Sequence, residues 1–278
     1  MSSFPVRVMC RVLQVSATGF YDWLQRQPSV TEQRREELAV LIRRIHADVK
    51  GRYGSPRMHA ELIARQFPCS VNTVAKVMKS LGLRAISHRK FRVRTTDSSH
   101  EFPVARNELD QDFTATKPNE IWLSDITYIP TREGWLYLAA VEDLYSRRVV
   151  GWSMGTSLES RLVVDALHMA VAQRFPGAGL LAHSDRGSQY ASDHYQRVLS
   201  NHGITCSMSR AGNCYDNAPM ESFFASLKKE LVHHQDYPTI EAAKASVFEY
   251  IEVFYNRVRR HSSLGYVAPE EFESADHP

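Results

Sequence analysis

Three acids in this 278-residue sequence stand where solubility alone does not explain a carboxylate. Asp125 interrupts the run Ile121-Trp122-Leu123-Ser124-Asp125-Ile126-Thr127-Tyr128-Ile129, which is apolar on both alternating faces and reads as a central strand covered on each side. An ionised carboxylate in that setting is costly unless a basic partner or a metal ion compensates it. Asp185 ends a second apolar run just before Gly187, and Glu221 opens a helix whose Phe224, Leu227 and Leu231 face inward. Acids from a strand centre, a strand end and a helix can converge at one edge of a sheet, the oxygen-rich environment that Mg2+ or Mn2+ prefers. Two ions held there would perform phosphoryl transfer, one activating a water or 3′-hydroxyl and the other stabilising the leaving oxygen. Taken singly, Asp185 also reads as a turn or cap residue and Glu221 as a surface or first-turn acid.

Holding such a trio requires a sheet with flanking helices, and the second half of the chain carries both patterns. β-Branched and aromatic runs predict strands at 121–129, 135–141 and 148–154, joined as an antiparallel meander, with further strands at 180–184 and 205–208. Helical periodicity predicts helices at 160–175, 193–201, 220–232 and 239–256. The expectation is a mixed α/β domain with a five-stranded sheet.

The first half has a different character. Residues 1–95 hold 18 Lys and Arg against 6 Asp and Glu, a net of +12, whereas the remainder holds 16 against 25, a net of −9. A basic front suggests a polyanionic partner, and an acidic back suggests carboxylates that hold cations; two solvated faces of opposite sign is the plainer alternative. Two short helices are expected around Ser16, Ala17 and Thr18, then a long amphipathic helix over 31–49 with Leu38, Leu41, Ile42, Ile45 and Val49 inward. Ser55 is placed to cap a helix over 56–66 with Pro56 at its first position, and Ser70 to cap another over 71–81 with Val71, Val74, Val77, Met78 and Leu81 inward. Helix, tight corner, helix is the helix-turn-helix pattern, and the outer face of its second helix carries Asn72, Thr73, Lys76 and Lys79. The flanking run Arg84, His88, Arg89, Lys90, Arg92 and Arg94 offers further phosphate contacts. Residues 96–116 lack any sustained period and read as a linker.

Other classes are excluded or disfavoured. The most apolar stretch, 163–172, is broken by Asp165 and His168 and is too short to span a bilayer. Arg7 and Arg11 bracket the only hydrophobic patch near the start, so no secretory signal is read and a cytoplasmic protein is expected. Cys10, Cys69, Cys206 and Cys214 form no CxxC pair, which signals neither a zinc site nor a disulfide framework.

Thirty-five residues separate Asp185 from Glu221 and 59 separate Asp125 from Asp185, the DD(35)E arrangement. Around these acids stand Trp122-Leu123-Ser124-Asp125-Ile126-Thr127-Tyr128-Ile129, Asp143-Leu144-Tyr145-Ser146-Arg147-Arg148, His183-Ser184-Asp185-Arg186-Gly187-Ser188-Gln189-Tyr190 and Gly212-Asn213-Cys214-Tyr215-Asp216-Asn217-Ala218-Pro219-Met220-Glu221-Ser222. Tyr255-Asn256, Arg259-Arg260-His261 and Leu264-Gly265-Tyr266 continue the pattern. With these motifs in this order the chain resembles, over nearly its whole length, the reading-frame-B transposases of the bacterial insertion-sequence-three family, whose catalytic core looks like that of retroviral integrases.

The resemblance implies a ribonuclease-H-like core with Asp125, Asp185 and Glu221 as catalytic ligands of two Mg2+ or Mn2+ ions. It also implies DNA cleavage and strand transfer at insertion-sequence ends, on terminal inverted repeats and target DNA. Lys228, seven residues after Glu221, falls on nearly the same helix face where the family has a basic residue, and is expected to hold a DNA phosphate. Arg186, Gln189, Asn213, Asp216 and Asn217 lie on loops beside the acids and are expected to touch DNA or orient ligands. Asp143 reads as a turn residue rather than a ligand, His183 as a core histidine rather than a general base, and the cluster Arg257, Arg259, Arg260 and His261 either as a phosphate patch or as a solvated helix end. The retroviral zinc module has no counterpart, so no zinc is expected.

The organisation expected is a short helical segment (1–30), a basic helix-turn-helix domain (31–95), a linker (96–116), the ribonuclease-H-like core (117–235) and a helical extension (236–278). A homo-oligomer on DNA, an upstream reading-frame-A product or fusion, and a nucleoid-associated bacterial location complete the expectation, with no membrane. The alternatives are a nuclease of the same fold that cuts without joining, and a non-catalytic DNA-binding regulator.

Overall fold

The computed structural model describes residues 4–86, 103–210 and 214–275, and the chain divides into two compact units, 1–85 and 86–278. The first unit is all helical: α1 (Val6–Val12), α2 (Ala17–Gln25), α3 (Val30–Asp48), α4 (Ser55–Ala64) and α5 (Val71–Ser80). Local chemistry sets most of its boundaries. Ser29 and Glu32 form a capping box at the start of α3, each side chain accepting from the other's backbone N–H at 3.2 and 2.8 Å. Ser70 accepts from Thr73 N at 3.1 Å and caps α5 as its position predicts.

Two details differ from expectation. The N-cap of α4 is Gly54, in an extended conformation, and Ser55 is already the first helical residue without a capping bond; glycine is among the residues favoured at an N-cap. Val71 is exposed, because the first turn of α5 projects past the core that Val74, Val77 and Met78 fill. That core is completed by Leu38, Ile42, Ile45, Met58 and Leu62, all buried. His59 Nε2 lies 3.0 Å from the Cys69 carbonyl, and the bond fixes the corner between α4 and α5.

The second unit is a five-stranded mixed sheet with flanking helices: β1 (Ile121–Thr131), β2 (Gly134–Asp143), β3 (Val149–Gly155), α6 (Ser160–Arg174), β4 (Leu181–Ser184), α7 (Ser188–Ala191), α8 (Asp193–Asn201), β5 (Thr205–Met208), α9 (Ala218–Glu230), α10 (Ile240–Phe248) and α11 (Pro269–Ala275). The strand order is β3-β2-β1-β4-β5, with β1 to β3 antiparallel and β4 and β5 parallel to β1. β1 is therefore central, as its two-faced apolar sequence requires. α6 packs on one face against Trp122, Ala139, Val141 and Val150. It comes so close to β3 that a Cβ on Gly151 would sit 2.3 Å from the Ala166 carbonyl, so only glycine fits. α9 and α10 pack against β1 from their side of the sheet.

The expected helix 239–256 is not uniform. α10 stops at Phe248 and the chain continues as a π-helical stretch, Glu249–Tyr255. The wider turn delivers Asn256 to β3, where its amide exchanges bonds of 3.0 and 2.9 Å with the N–H and carbonyl of Val149. α11 follows, and its buried Glu273 accepts from Ser146 Oγ at 2.6 Å, Arg148 Nη1 at 3.0 Å and Arg174 Nη1 at 2.8 Å. Among the described residues no helix is long and apolar enough to cross a membrane.

Candidate active site

The sheet register itself brings two acids together. Ser124 of β1 is paired with Ser184 of β4 in a parallel ladder; Asp125 is the next residue on β1, and Asp185 the first residue past the end of β4. They thus emerge side by side at the point where β4 stops. Each is fixed by a local backbone bond: Ile126 N donates to Asp125 Oδ1 at 2.7 Å, and Gly187 N donates to Asp185 Oδ1 at 2.9 Å. The latter is an Asx-type turn, and Gly187 keeps it tight, since a Cβ there would meet Asp185 Oδ1 at 3.0 Å.

Glu221 arrives from the first turn of α9, where Pro219, the second helical residue, is tolerated because the first-turn N–H groups have no helical partner. The N-cap of that helix, Asn217, is buried and donates from Nδ2 to the Ser124 carbonyl at 3.1 Å. Asp216 is wholly buried beside it and accepts from Arg210 N, Nε and Nη2 at 2.7, 3.1 and 2.8 Å, from Gln111 Nε2 at 2.8 Å and from Asn107 Nδ2 at 3.1 Å. Its bonds from Arg210 hold the carboxyl far below the usual range. Asp216 is thus held inside the fold, next to the N-cap of the helix that carries Glu221.

The electrostatics show one shared neighbourhood. Burial pushes the Asp125 carboxyl well above its ordinary range, the charges of Asp185 and Glu221 push it further, and Lys228 pulls it back. Burial also raises Glu221, and lowers the Lys228 ammonium against the opposing pull of Asp125. Among the described residues no three His, Cys, Asp or Glu side chains stand close enough together to hold a metal ion as they are placed. The donor chemistry nevertheless suits a hard divalent cation: Asp125 lies in the field of both Asp185 and Glu221, and a cation would relieve that repulsion.

The remaining residues sort by their partners. Arg186 donates from Nε to the Ser209 carbonyl, and Gln189 from Nε2 to the Leu158 carbonyl at 3.0 Å, so both brace the loops around Asp185. His183 is buried between Ser207 Oγ and Ser209 Oγ, 2.9 and 3.1 Å from its two ring nitrogens, and burial pushes it down to about 4. It is a neutral core residue at pH 7 with both nitrogens engaged. Asp143 accepts from Asn119 N, Tyr145 N and Arg174 Nη2 at 2.8, 3.0 and 3.2 Å, an anchor for the turn after β2.

Arg259 corrects the reading of its cluster as a phosphate patch or a solvated helix end. It is 4% exposed, paired with buried Glu230 through bonds of 2.8 to 3.1 Å. The π-helical turn directs it inward, where it also lies over the Tyr255 ring.

Sequence reasoning missed Tyr128 and Tyr190. Lys228 Nζ lies 4.7 Å from the centre of the Tyr128 ring, and Tyr190 is buried within the field of Asp125 and Asp185. Only their places within the two acid-bearing motifs pointed to them.

In the helical unit, Asn72, Thr73, Lys76 and Lys79 all lie exposed along α5, and Arg84 is exposed just after it. His88, Arg89, Lys90, Arg92, Arg94 and Asn213 lie outside the described residues.

Comparison with known proteins places both units. An HTH-like domain matches residues 33–91, and integrase core domain models match residues 115–214 and 202–269. The chain is 45% identical over 275 residues to the transposase InsF for insertion sequence IS3A of Escherichia coli (strain K12), covering 98% of this chain and 95% of that one. Among solved structures, an intasome of simian T-cell lymphotropic virus matches 83% of this chain and 73% of its own at 16% identity and a TM-score of 0.48. The HTLV-2 integrase catalytic core domain in complex with magnesium matches 56% and 97% at 17% identity and a TM-score of 0.42. The near full-length identity to InsF, with the integrase core behind an HTH-like domain, makes this chain a member of the IS3-family transposases, enzymes of the DDE polynucleotidyl transferase type.

Proposed function

We propose that Asp125, Asp185 and Glu221 are the metal-binding catalytic acids of this transposase, that they take two Mg2+ or Mn2+ ions, and that they act on the DNA ends of an insertion sequence. The observation that carries this reading is the sheet register that sets Asp125 beside Asp185, with Glu221 close enough for its charge to raise the Asp125 carboxyl further. Such a cluster is unstable by itself and suited to a cation. When bound, two ions supply an activated water or 3′-hydroxyl and a stabilised leaving oxygen.

The protein's own contribution is positioning. β1 and β4 fix Asp125 and Asp185 side by side, Asn217 fixes the approach of Glu221, and Lys228 offers an ammonium to a neighbouring phosphate. The helix-turn-helix supplies binding through Asn72, Thr73, Lys76 and Lys79 on α5 and through Arg84, with Arg89, Lys90, Arg92 and Arg94 following. In this reading residues 31–95 grip DNA, 96–116 link, 117–235 catalyse and 236–278 buttress the sheet, in a homo-oligomer that joins two ends in the bacterial cytoplasm. An upstream reading-frame-A product joins it there.

The test uses labelled duplexes carrying the element's ends, with Mg2+ or Mn2+. Wild type is expected to cleave and join, and Asp125→Asn, Asp185→Asn and Glu221→Gln each to lose both activities by at least ~100-fold. Retained activity in all three variants refutes the assignment. Cleavage without joined product identifies a nuclease, and DNA binding without metal-stimulated cleavage identifies a regulator.

A further inference from the structure

β4 ends at Ser184, opposite Ser124, so from Asp125 to Thr131 the central strand is paired on its β2 side only. Strand alternation puts Asp125 and Tyr128 on opposite faces of that stretch. Lys228 is coupled to both: it lies in the field of Asp125, and its Nζ sits 4.7 Å from the centre of the Tyr128 ring. The lysine therefore reaches from α9 across the open margin of β1 and ends on an aromatic face.

That face is braced. Trp135 meets the Tyr128 ring edge-on, with centroids 4.9 Å apart and planes at 89°. The register Tyr128↔Tyr137 and Pro130↔Trp135 makes the two rings diagonal neighbours on one side of the β1–β2 ribbon. Trp135 is 52% exposed, so the brace opens to solvent beside the site. The Tyr128 hydroxyl is buried without a hydrogen-bond partner among the described residues, so hydrogen bonding from that hydroxyl does not set the ring's place. Its packing between an ammonium and an indole does.

An unrestrained lysine samples many rotamers on its four-carbon stem, and its ammonium is a point charge without directional preference. An aromatic ring offers the negative face of its quadrupole and confines that charge to one place. We propose that Tyr128 is a positioning residue: its ring, braced by Trp135, holds the Lys228 ammonium at the margin of the acid cluster, where it meets a backbone phosphate of the DNA end. The proposal rests on the assignment of the three acids given above. It adds a residue that touches neither metal nor scissile bond. The required feature is the ring, so phenylalanine substitutes for Tyr128 and an aliphatic residue does not.

The test is metal-free binding of the full-length protein to a fluorescent duplex ending in the element's terminal repeat, followed by anisotropy over a salt series in EDTA. Lys228→Ala is expected to weaken binding about 10-fold and to reduce the salt slope by about one. Tyr128→Leu is expected to weaken it about 3- to 10-fold, and Tyr128→Phe to stay within about twofold of wild type. The double variant Tyr128→Leu with Lys228→Ala is expected to bind no more weakly than Lys228→Ala alone. If Lys228→Ala weakens binding and Tyr128→Leu does not, or if Tyr128→Phe is as weak as Tyr128→Leu, the positioning role is wrong and the assignment of the acids stands. If Lys228→Ala binds like wild type, the role is equally wrong. Cleavage by Asp125→Asn overturns the assignment beneath it instead. Should Tyr128→Leu fail to fold, 13C-dimethylated lysines give an independent reading. The Lys228 methyl signal is expected upfield-shifted by the ring in wild type and in Tyr128→Phe, and an unshifted signal refutes the contact.

Discussion

The side-chain amide of Asn217 donates to the backbone carbonyl of Ser124 at 3.1 Å, which ties the N-cap of α9 to the residue that precedes Asp125. One hydrogen bond thus couples the helix carrying Glu221 to the strand carrying its partner acid. Asn217→Ala removes that tie and leaves a buried carbonyl without it. A stability loss of about 1–2 kcal/mol is expected. A larger functional effect is expected as well, an apparent Mg2+ affinity about 10- to 100-fold weaker. Metal titration of cleavage beside thermal melts checks both, and an unchanged metal midpoint contradicts the coupling.

Glu142 is expected to impose a pH dependence on stability. It is buried at the end of β2, and burial pushes its carboxyl up to about 8 against the pull of Arg147. A raised carboxyl stabilises the fold fully below its unfolded value near 4.5, and that contribution is lost as pH rises toward 8. Glu142→Gln keeps an acceptor for Tyr255 and cannot ionise. Its stability relative to wild type should therefore climb between pH 5 and pH 8, as chemical denaturation at several pH values would show; a constant difference across that range would contradict the burial.

The Arg259–Glu230 pair predicts a sharp contrast between neighbouring arginines. Arg259 is almost fully enclosed, and Glu230 also accepts from Tyr250 OH at 3.0 Å. Arg259→Ala leaves a buried carboxylate uncompensated and should cost about 3–5 kcal/mol. Arg257, largely exposed and paired at 3.3 Å with Glu270, should cost no more than ~0.5 kcal/mol when replaced by alanine. Denaturant midpoints of the two variants decide the matter.

The exposed face of α5 predicts a graded loss of DNA binding. Lys76→Ala and Arg84→Ala should each weaken binding and lower the salt slope by about one unit if each meets a phosphate. Replacing buried Val77 would instead act through the fold. Affinity independent of salt would remove the basic face from the interface.

The strands were legible because β-branched and aromatic residues run together in them between turn residues, and β1 was legible as central because both its faces are apolar. The spacing of Asp125, Asp185 and Glu221 carried the candidate site. What the sequence concealed are contacts between residues far apart in it. Nothing local in Asn217 announces a bond to Ser124, 93 positions earlier. The π-helical turn at Glu249–Tyr255 looks like ordinary helix in composition, yet it directs Arg259 inward, where an exposed basic end had seemed possible. Tyr128 and Lys228 belong to separate motifs, and only the early end of β4 allows them to meet. The cap at Gly54 was missed for a local reason: two adjacent residues both suit a helix start, and proline tolerates either of the first positions.

Glu273 has a consequence for how the protein is made. Its carboxylate is the acceptor for Arg174, 99 positions earlier, and for Arg148, 125 positions earlier. On the ribosome all five strands emerge before this acceptor does, so those guanidinium groups wait in an unfinished core while the helical front unit can already complete itself. A nascent chain that pauses short of α11 would leave Arg148, Arg174 and Ser146 without the carboxylate they share.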